Sequence, residues 1–235
     1  MTRWFDYEPE VLNVIRRFVR PGDCAIDAGA CVGVHACVMG KLAGEDGLVL
    51  AFEPQLESFK VLAYTVHVVN KLNNIACLNM GLWKCDERRE LWSLAKVGYS
   101  SFYHYATDAV SSEQVECRAL DSLLGENNHP RLIKIDCEAS EVEVLCGAHD
   151  ILSRGVDCVV VELNYYLMNI MKQSDALIRG YMAELGYDMY LINISDGKGG
   201  YTPIKVGRGQ KIKLQGGSHI NVMFSTDEKV RERWQ

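Results

Sequence analysis

Residues 24–33, which read Cys-Ala-Ile-Asp-Ala-Gly-Ala-Cys-Val-Gly, constrain the fold more than any other stretch of this chain. A short apolar run ends at Asp27, Gly29 and Gly33 bracket a loop, and a second apolar segment follows. This order predicts a strand, a tight turn and the N-terminus of a helix, an arrangement in which backbone amides approach a nucleotide-like ligand closely. The chain has 235 residues, 48% of them hydrophobic, so its size and composition suit one large globular domain.

Apolar runs alternate with helical patterns along the rest of the chain. Strands are predicted at 24–27, 48–52, 75–78, 132–135, 158–161, about 189–194 and 220–224, with weaker candidates at 91–94 and 115–119. Helices are predicted at about 33–42, 56–72 and 176–185, with another beginning at 141. The alternation predicts a Rossmann-like α/β fold, with a mostly parallel central sheet and helices on both faces. We expect a single domain over 1–235, with an N-terminal helix in 1–20 and C-terminal strands or a hairpin in 195–235.

Four of the predicted strands end in an acidic residue, namely Asp27, Glu53, Asp136 and Glu162. The carboxyl ends of parallel strands lie at one edge of a sheet. Acids clustered there repel each other and would destabilise the fold, so their presence favours a role in binding a ligand. Glu53 can accept both hydroxyls of a ribose, because a carboxylate offers two oxygens to a vicinal diol. Asp27 would repel a diphosphate and attract a cation, which favours S-adenosylmethionine (SAM) over NAD as the cofactor.

Residues 136–141, Asp-Cys-Glu-Ala-Ser-Glu, hold a second dense group of acids. We expect Asp136 to face the cleft as a general base or as a ligand of the SAM ammonium, and Glu141 to favour a helix N-terminus. Glu138 and His104, which lies in the aromatic segment 98–105, are the other candidate bases for a hydroxyl acceptor. His35 either orients the SAM carboxylate or packs. A divalent cation held by these acids stays open, and we assign no metal ligands.

The composition argues against several other classes of protein. A net charge of -6 gives no broad attraction to nucleic-acid phosphates, so we expect no nucleic-acid partner. Nine cysteines without a Cys-x-x-Cys pair indicate thiols in a reducing compartment rather than zinc ligands. With no signal peptide and no run long enough to span a bilayer, we expect a cytoplasmic protein without a membrane partner. Residues 204–214 alternate basic and apolar residues, which indicates an amphipathic hairpin or a lid that attracts an acidic substrate.

Three blocks of the sequence resemble the FkbM family of SAM-dependent methyltransferases: residues 27–35, 51–54 and 132–148. The resemblance covers roughly residues 20–195 and implies a class I methyltransferase fold with SAM as cofactor. It also implies O-methylation of a hydroxyl on a small molecule such as a sugar or a natural product. The cofactor-binding residues that we predict lie on the glycine loop and at the next strand ends: Asp27, Gly29, Ala30, Cys31, Gly33, His35, Glu53, Pro54, Met80 and Asp136.

Two positions depart from the family pattern. Cys31 stands where the family usually has Asn, and Ala139 stands where it usually has Gly. These departures keep open a catalytically silent protein that binds SAM or serves as an interaction module. A nucleic acid methyltransferase is a weaker alternative, because amino-group base methylases usually carry Asn/Asp-Pro-Pro-Tyr where this chain reads Asp136-Cys-Glu138. The identity of the acceptor and the oligomeric state are left open.

Overall fold

The computed structural model describes residues 7–93, 100–104, 111–125, 128–195, 197, 200–207, 209–212 and 219–235. Its strands are β1 (Cys24–Ala28), β2 (Leu48–Phe52), β3 (Ile75–Leu78), β4 (Gly81–Leu82), β5 (Glu87–Ser93), β6 (Ser100–Ser101), β7 (Ser111–Arg118), β8 (Leu132–Ile135), β9 (Cys158–Asn164), β10 (Asp188–Leu191), β11 (Ile204–Lys205) and β12 (His219–Ser225). Its helices are α1 (Pro9–Phe18), α2 (Val34–Ala43), α3 (Leu56–Ala63), α4 (Leu120–Leu124), α5 (Glu141–Cys146), α6 (His149–Ser153), α7 (Tyr165–Ile170), α8 (Asp175–Glu184) and α9 (Asp227–Trp234).

Eight strands form the central sheet, in the order β11-β10-β12-β9-β8-β1-β2-β3. The five strands from β9 to β3 are parallel, while β12 runs antiparallel between β9 and β10. The predicted α/β fold with a mostly parallel sheet is therefore confirmed. The order reverses between β1 and β8, and such a switch point leaves a crevice beyond the carboxyl ends of the two strands.

Both faces of the sheet are covered, which is why its strands read as continuous apolar runs. Ile26, Ile133 and Val159 are in-register neighbours on one face, in a core shared with α5, α6 and α8. Ala25 and Leu132 lie on the other face, in a core shared with α1 and α2. Alternate side chains of each strand therefore point to opposite helical layers, and only the strand ends are free to build a site.

A smaller sheet, ordered β4-β7-β5-β6, is formed by the segment between β3 and α4. It carries its own apolar cluster, made by Trp83, Leu91, Phe102, Val115 and Cys117. The exposed face of β5 and β7 is polar, so the strand pattern was weak in the sequence there. The predicted strands at 91–94 and 115–119 correspond to β5 and β7. Residues 98, 99 and 105 of the aromatic segment lie outside the described part of the chain.

The predicted helix over 56–72 is α-helical only as far as Ala63. A π-helical turn follows over Tyr64–Val69, closed by a hydrogen bond of 3.0 Å from the Asn70 amide to the Thr65 carbonyl. Four of its six residues are valines or threonines, in the run Thr-Val-His-Val-Val, and β-branched side chains crowd the preceding turn of an α-helix. The wider turn still buries Val66 fully.

Strand β11 of the C-terminal region forms an edge of the central sheet, next to β10. Lys205 of β11 lies 2.8 Å from an Asp188 oxygen and 2.7 Å from an Asp227 oxygen, so its charge is paired. Arg208 and Lys213 of the alternating segment lie outside the described residues. Among the helices that the structure does describe, none has the length and apolar character needed to cross a bilayer.

Candidate active site

A cavity of about 220 Å³ opens at the switch point between β1 and β8. Its wall combines the loop after β1, the ends of β2, β8 and β9, the smaller sheet and the residues just before α1. Seven of the residues predicted from sequence line it: Gly29, Cys31, Glu53, Pro54, Met80, Asp136 and Glu138. Six of the ten predicted cofactor residues and two of the three predicted bases therefore share one cavity.

Gly29 sits where the tips of β1 and β8 touch. Its φ is +77°, and a Cβ built there would lie 1.8 Å from the Asp136 carbonyl oxygen. The amides of Gly29 and Ala30 both donate to the Phe52 carbonyl, at 3.0 and 2.9 Å, which ties the loop to β2. Glycine adopts a positive φ at little cost and has no Cβ to clash with the Asp136 carbonyl, so the geometry of the loop requires glycine at position 29.

Glu53 is held by two backbone amides at the end of β2. Its Oε2 accepts from the Cys31 amide and its Oε1 from the Gln55 amide, each at 2.9 Å. Cys31 reaches this position with a φ of +49°. The carboxylate is 5% exposed and faces the cavity, and each oxygen keeps a second lone pair for a ligand hydroxyl. Burial raises the pKa of Glu53 to about 7, although the two amides oppose the shift.

The raised pKa of Glu53 predicts a pH dependence of stability. Because the folded protein binds this proton more tightly than the unfolded chain, the contribution is full below pH 4.5 and is lost as the pH rises through about 7. It amounts to at most about 3 kcal/mol in the free energy of unfolding. Urea unfolding of the wild type and Glu53→Gln between about pH 5 and pH 8 measures it. Stability of the wild type should fall more steeply with pH than that of the variant; parallel curves would contradict the prediction.

Asp27 is fully buried beneath the cavity rather than on its wall. Register places it beside Lys134 of β8, whose Nζ lies 3.7 Å from Asp27 Oδ1 and 3.1 Å from Asp136 Oδ2. Burial raises the pKa of Asp27, while the Lys134 ammonium counteracts that shift. Asp27 therefore helps to fix Lys134, and through it Asp136, and its direct contact with a cofactor stays a prediction.

The segment after β8 has an unusual backbone. Glu138 and Ala139 have φ angles of +47° and +79°, and the Glu138 carbonyl accepts a 2.7 Å hydrogen bond from the Ser101 hydroxyl. The Glu138 carboxyl lines the cavity, and burial, followed by the charge of Asp136, raises its pKa to about 7. Glu141 instead accepts from the Cys137 amide at 3.0 Å, which agrees with a role at the start of α5. The turn thus directs Glu138 to the cavity and Glu141 to the helix.

The backbone at Ala139 predicts a stability difference between two alanine-to-glycine changes. A positive φ costs a non-glycine residue about 1–2 kcal/mol, so Ala139→Gly relieves strain that offsets the lost methyl and the added chain entropy. Ala183→Gly, in the exposed part of α8, has no strain to relieve and should lose about 1 kcal/mol. Chemical denaturation should find Ala139→Gly the more stable of the two by about 1–2 kcal/mol. Equal losses would show that residue 139 is unstrained.

Four other predicted residues lie off the cavity wall. Ala30 and Gly33 form the tight turn before α2, where the Gly33 amide donates to the Ala30 carbonyl at 2.8 Å. His35 is buried behind the wall, with its Nε2 3.5 Å from Glu8 Oε2, and burial lowers its pKa. His104 is exposed and its ring packs on Trp92 at a centroid distance of 4.2 Å. The structure thus groups His35 with a carboxyl of the wall and separates His104 from the other candidate bases.

Several wall residues were not predicted as site residues. Tyr7 and Glu8 close one side of the cavity from just before α1, and Asn164 and His219, paired in register, lie on β9 and β12. The sequence showed Glu162 as an acid at the end of a strand, and this position was the signal that could have identified it as a site residue, but no role was assigned to it. Burial and nearby carboxylates raise its pKa to about 10. The cavity is therefore more acidic than the predicted residues alone indicated.

Comparison with known families decides the classification of the chain. The sequence profile of the methyltransferase FkbM domain matches residues 27–189, which is more than half of the chain. The chain belongs to the FkbM methyltransferase family. The match begins at Asp27 and includes the glycine loop, Glu53 and the acids after β8. The family resemblance seen in the sequence is therefore confirmed.

Individual relatives of this FkbM protein are distant. The hexuronic acid methyltransferase AglP of Haloferax volcanii is 26% identical over 159 residues, an alignment that covers 67% of this chain and 62% of that protein. The chain thus spans less than two thirds of the length of this curated relative. The structure is similar to the FkbM methyltransferase from Methylobacillus flagellatus KT (TM-score 0.53, 14% identity, 91% of this chain and 50% of that chain). It is also similar to a precorrin-6y C5,15-methyltransferase from Geobacter metallireducens GS-15 (TM-score 0.50, 9% identity, 95% and 90%). These two likenesses establish the fold.

Proposed function

We propose that this FkbM protein transfers a methyl group from SAM to a hydroxyl of a small molecule, with a sugar as the favoured acceptor. The observation that carries the proposal is Glu53, whose carboxylate is fixed by two amides on the wall of a cavity at the switch point of the sheet. A fixed carboxylate at the end of the second strand suits the ribose hydroxyls of an adenosine cofactor. Membership of a methyltransferase family makes SAM the cofactor of choice.

The acidic end of the cavity suits the charged part of SAM. Asp136, Glu138 and Glu162 line it, and Lys134 is the cation beside Asp136. With the ribose at Glu53, the sulfonium and ammonium of SAM lie toward the Asp136 carboxylate, which attracts both positive charges. NAD would bring its diphosphate to the same acids, and the repulsion disfavours it. The same electrostatic argument that we applied to Asp27 in the sequence therefore applies to Asp136 and its neighbours.

Glu138 is the general base of the proposed reaction. Its carboxyl faces the cavity and makes no hydrogen bond or ion pair with any residue that the structure describes, whereas Asp136 is held by Lys134 at 3.1 Å. In an in-line displacement, the acceptor oxygen forms a bond to the methyl carbon as the carbon–sulfur bond breaks, and the hydroxyl proton passes to Glu138. The products are the methyl ether, S-adenosylhomocysteine and a neutral Glu138. Positioning the two substrates supplies most of the rate enhancement.

A sugar acceptor is supported by the relative that methylates a hexuronic acid. The lining of this cavity is rich in acids, which favours a neutral hydroxyl as the attacking group over a free carboxylate. We therefore propose that the product is an ether rather than an ester. A small-molecule acceptor also agrees with the net negative charge of the chain, which gives no general attraction to nucleic acids.

Transfer of label from methyl-labelled SAM tests the proposal. The panel holds neutral glycosides, hexuronic acids and their reduced forms, natural-product polyols and an oligonucleotide. We expect a hydroxyl compound to become labelled, and we expect the label to remain on it after treatment with mild base, since ethers resist the hydrolysis that cleaves methyl esters. Label released by base, or found on the oligonucleotide, would contradict O-methylation of a small-molecule hydroxyl. Tight SAM binding with no transfer to any acceptor would instead support the catalytically silent alternative.

A further inference from the structure

Three carboxylates from distant segments meet on the wall of the cavity. Glu8 directly precedes α1, Asp136 follows β8, and Glu162 lies in β9. One oxygen from each lies within 4.8 Å of the oxygens of the other two. We propose that Glu8, Asp136 and Glu162, here called the acid trio, bind a hard divalent cation such as Mg²⁺ that orients the acceptor.

Glu162 is the member of the acid trio that most requires a ligand. It is only 9% exposed, it lines the cavity, and its carboxylate has no hydrogen bond or ion pair with the residues that the structure describes. Its cross-strand neighbour Asn221 donates its amide to Glu10 at 3.2 Å instead. A buried polar group without a partner is costly, and more so when it is charged. A cation at the acid trio gives Glu162 the partner that the protein does not supply.

The positive charge nearby is not enough for three carboxylates. Lys134 is shared between Asp136, at 3.1 Å, and Asp27, at 3.7 Å. Within the described ranges, Glu8 and Glu162 have no ion pair with a lysine or arginine; Glu8 has only His35 Nε2, at 3.5 Å from its Oε2. One ammonium divided between two acids leaves Glu8 and Glu162 without a lysine cation among the described residues, and a divalent ion supplies more positive charge to them than a monovalent one.

The donor set indicates which class of ion would bind. All three ligands are carboxylate oxygens, with no thiol or imidazole among them, and oxygen donors suit Mg²⁺, Mn²⁺ and Ca²⁺ rather than zinc or copper. Three protein ligands leave coordination positions open toward the cavity. Two neighbouring oxygens of an acceptor, as in a vicinal diol or a hydroxy acid, can occupy them, and a coordinated hydroxyl loses its proton more readily. This role in catalysis rests on the proposed methyl transfer, whereas the cation site itself does not.

Binding of Mn²⁺ to the protein without SAM or acceptor tests the site. Electron paramagnetic resonance of free Mn²⁺ gives the affinity of the wild type, Glu162→Gln and Glu138→Gln, with Mg²⁺ as a competitor. We expect one saturable site that Mg²⁺ competes for, and a loss of about tenfold or more in Glu162→Gln, because a ligand is removed. Glu138→Gln removes a carboxyl of the same cavity outside the acid trio and should change the affinity by about threefold or less.

Three results would overturn the cation site: no saturable binding to the wild type, an unchanged affinity in Glu162→Gln, or equal losses in Glu162→Gln and Glu138→Gln. Equal losses would mean that Mn²⁺ responds to the general negative charge of the cavity. If Glu162→Gln does not fold, Glu8→Gln tests the same site from a different segment. Since no SAM is present, failure of the cation site is separable from failure of methyl transfer.

Discussion

Replacing Gly29 with alanine should destabilise this FkbM protein by about 4 kcal/mol and abolish detectable SAM binding. Two effects add. The φ of +77° costs an alanine about 1–2 kcal/mol. The new Cβ would also lie 1.8 Å from the Asp136 carbonyl oxygen, so the tips of β1 and β8 must separate, and such overpacking adds roughly 1–3 kcal/mol. Separation of the tips moves Asp136 and the loop that reaches Glu53. Urea unfolding and SAM titration measure the two losses.

Gly22→Ala is the matched control for this substitution. Gly22 has a φ of +84°, close to that of Gly29, but nothing lies within 4 Å of the position of its Cβ. It should lose only the conformational part, about 1–2 kcal/mol, and keep the affinity for SAM. If Gly29→Ala and Gly22→Ala lower the free energy of unfolding equally, the close approach of the tips of β1 and β8 contributes nothing to the loss in Gly29→Ala. If Gly29→Ala binds SAM normally, the glycine loop does not form the cofactor site.

Glu138→Gln should lower the turnover number by about 10²–10⁴-fold, because glutamine keeps the shape of the side chain but cannot accept the proton of the acceptor hydroxyl. Binding of SAM should change little, since the ribose contact that we propose is at Glu53. Single-turnover kinetics with the acceptor found by the labelling screen measures the rate of methyl transfer directly. The combination of a large loss in rate with an almost unchanged SAM dissociation constant distinguishes a base from a residue that binds the cofactor.

Glu143→Gln is the control for the base. Glu143 lies in α5 and accepts from the Tyr103 hydroxyl at 2.6 Å, and it does not line the cavity. Glutamine retains an oxygen that can accept the same bond, so turnover should stay within about threefold of the wild type. A similar loss of turnover in Glu138→Gln and Glu143→Gln would mean that both changes disturb the folding of this region, and not that Glu138 accepts a proton. A Glu138→Gln variant with nearly normal turnover would mean that another group, Asp136 first, accepts the proton.

The parts of the site that local sequence determines could be predicted. The turn after β1 needs Gly29, and the acid at the end of β2 follows that turn by one helix and one strand, so both Cys31 and Glu53 could be placed near the cofactor; their hydrogen bond is a finding of the structure. The parallel strands that position these residues could be recognised in the sequence, because strands with both faces buried read as continuous apolar runs. Within one strand–turn–helix unit, residues that are close in space are also close in sequence, and this is why this part of the site could be predicted.

The parts that depend on long-range packing could not be predicted. Glu8 reaches the cavity because α1 packs against α2 and α9, and no local pattern relates residue 8 to residues 136 and 162. The pairing of Asp27 with Lys134 follows from the register between β1 and β8, which a run of apolar letters does not specify. His104 was a candidate base because of its aromatic neighbours, but its exposed ring packs on Trp92 and does not line the cavity. Its catalytic role stays a prediction without support from geometry.

Calorimetric titration with SAM, S-adenosylhomocysteine and NAD, on the wild type and Glu53→Ala, tests the cofactor site most directly. We expect both adenosyl-sulfur ligands to bind the wild type and NAD to bind at least about tenfold more weakly, with Glu53→Ala weakening SAM by about 100-fold through the loss of two charge-assisted hydrogen bonds. The 2′-deoxy analogue of S-adenosylhomocysteine should bind the wild type more weakly than the parent, and the two should bind Glu53→Ala alike. Equal affinities for NAD and SAM, or a SAM affinity unchanged in Glu53→Ala, would contradict a SAM site built on Glu53.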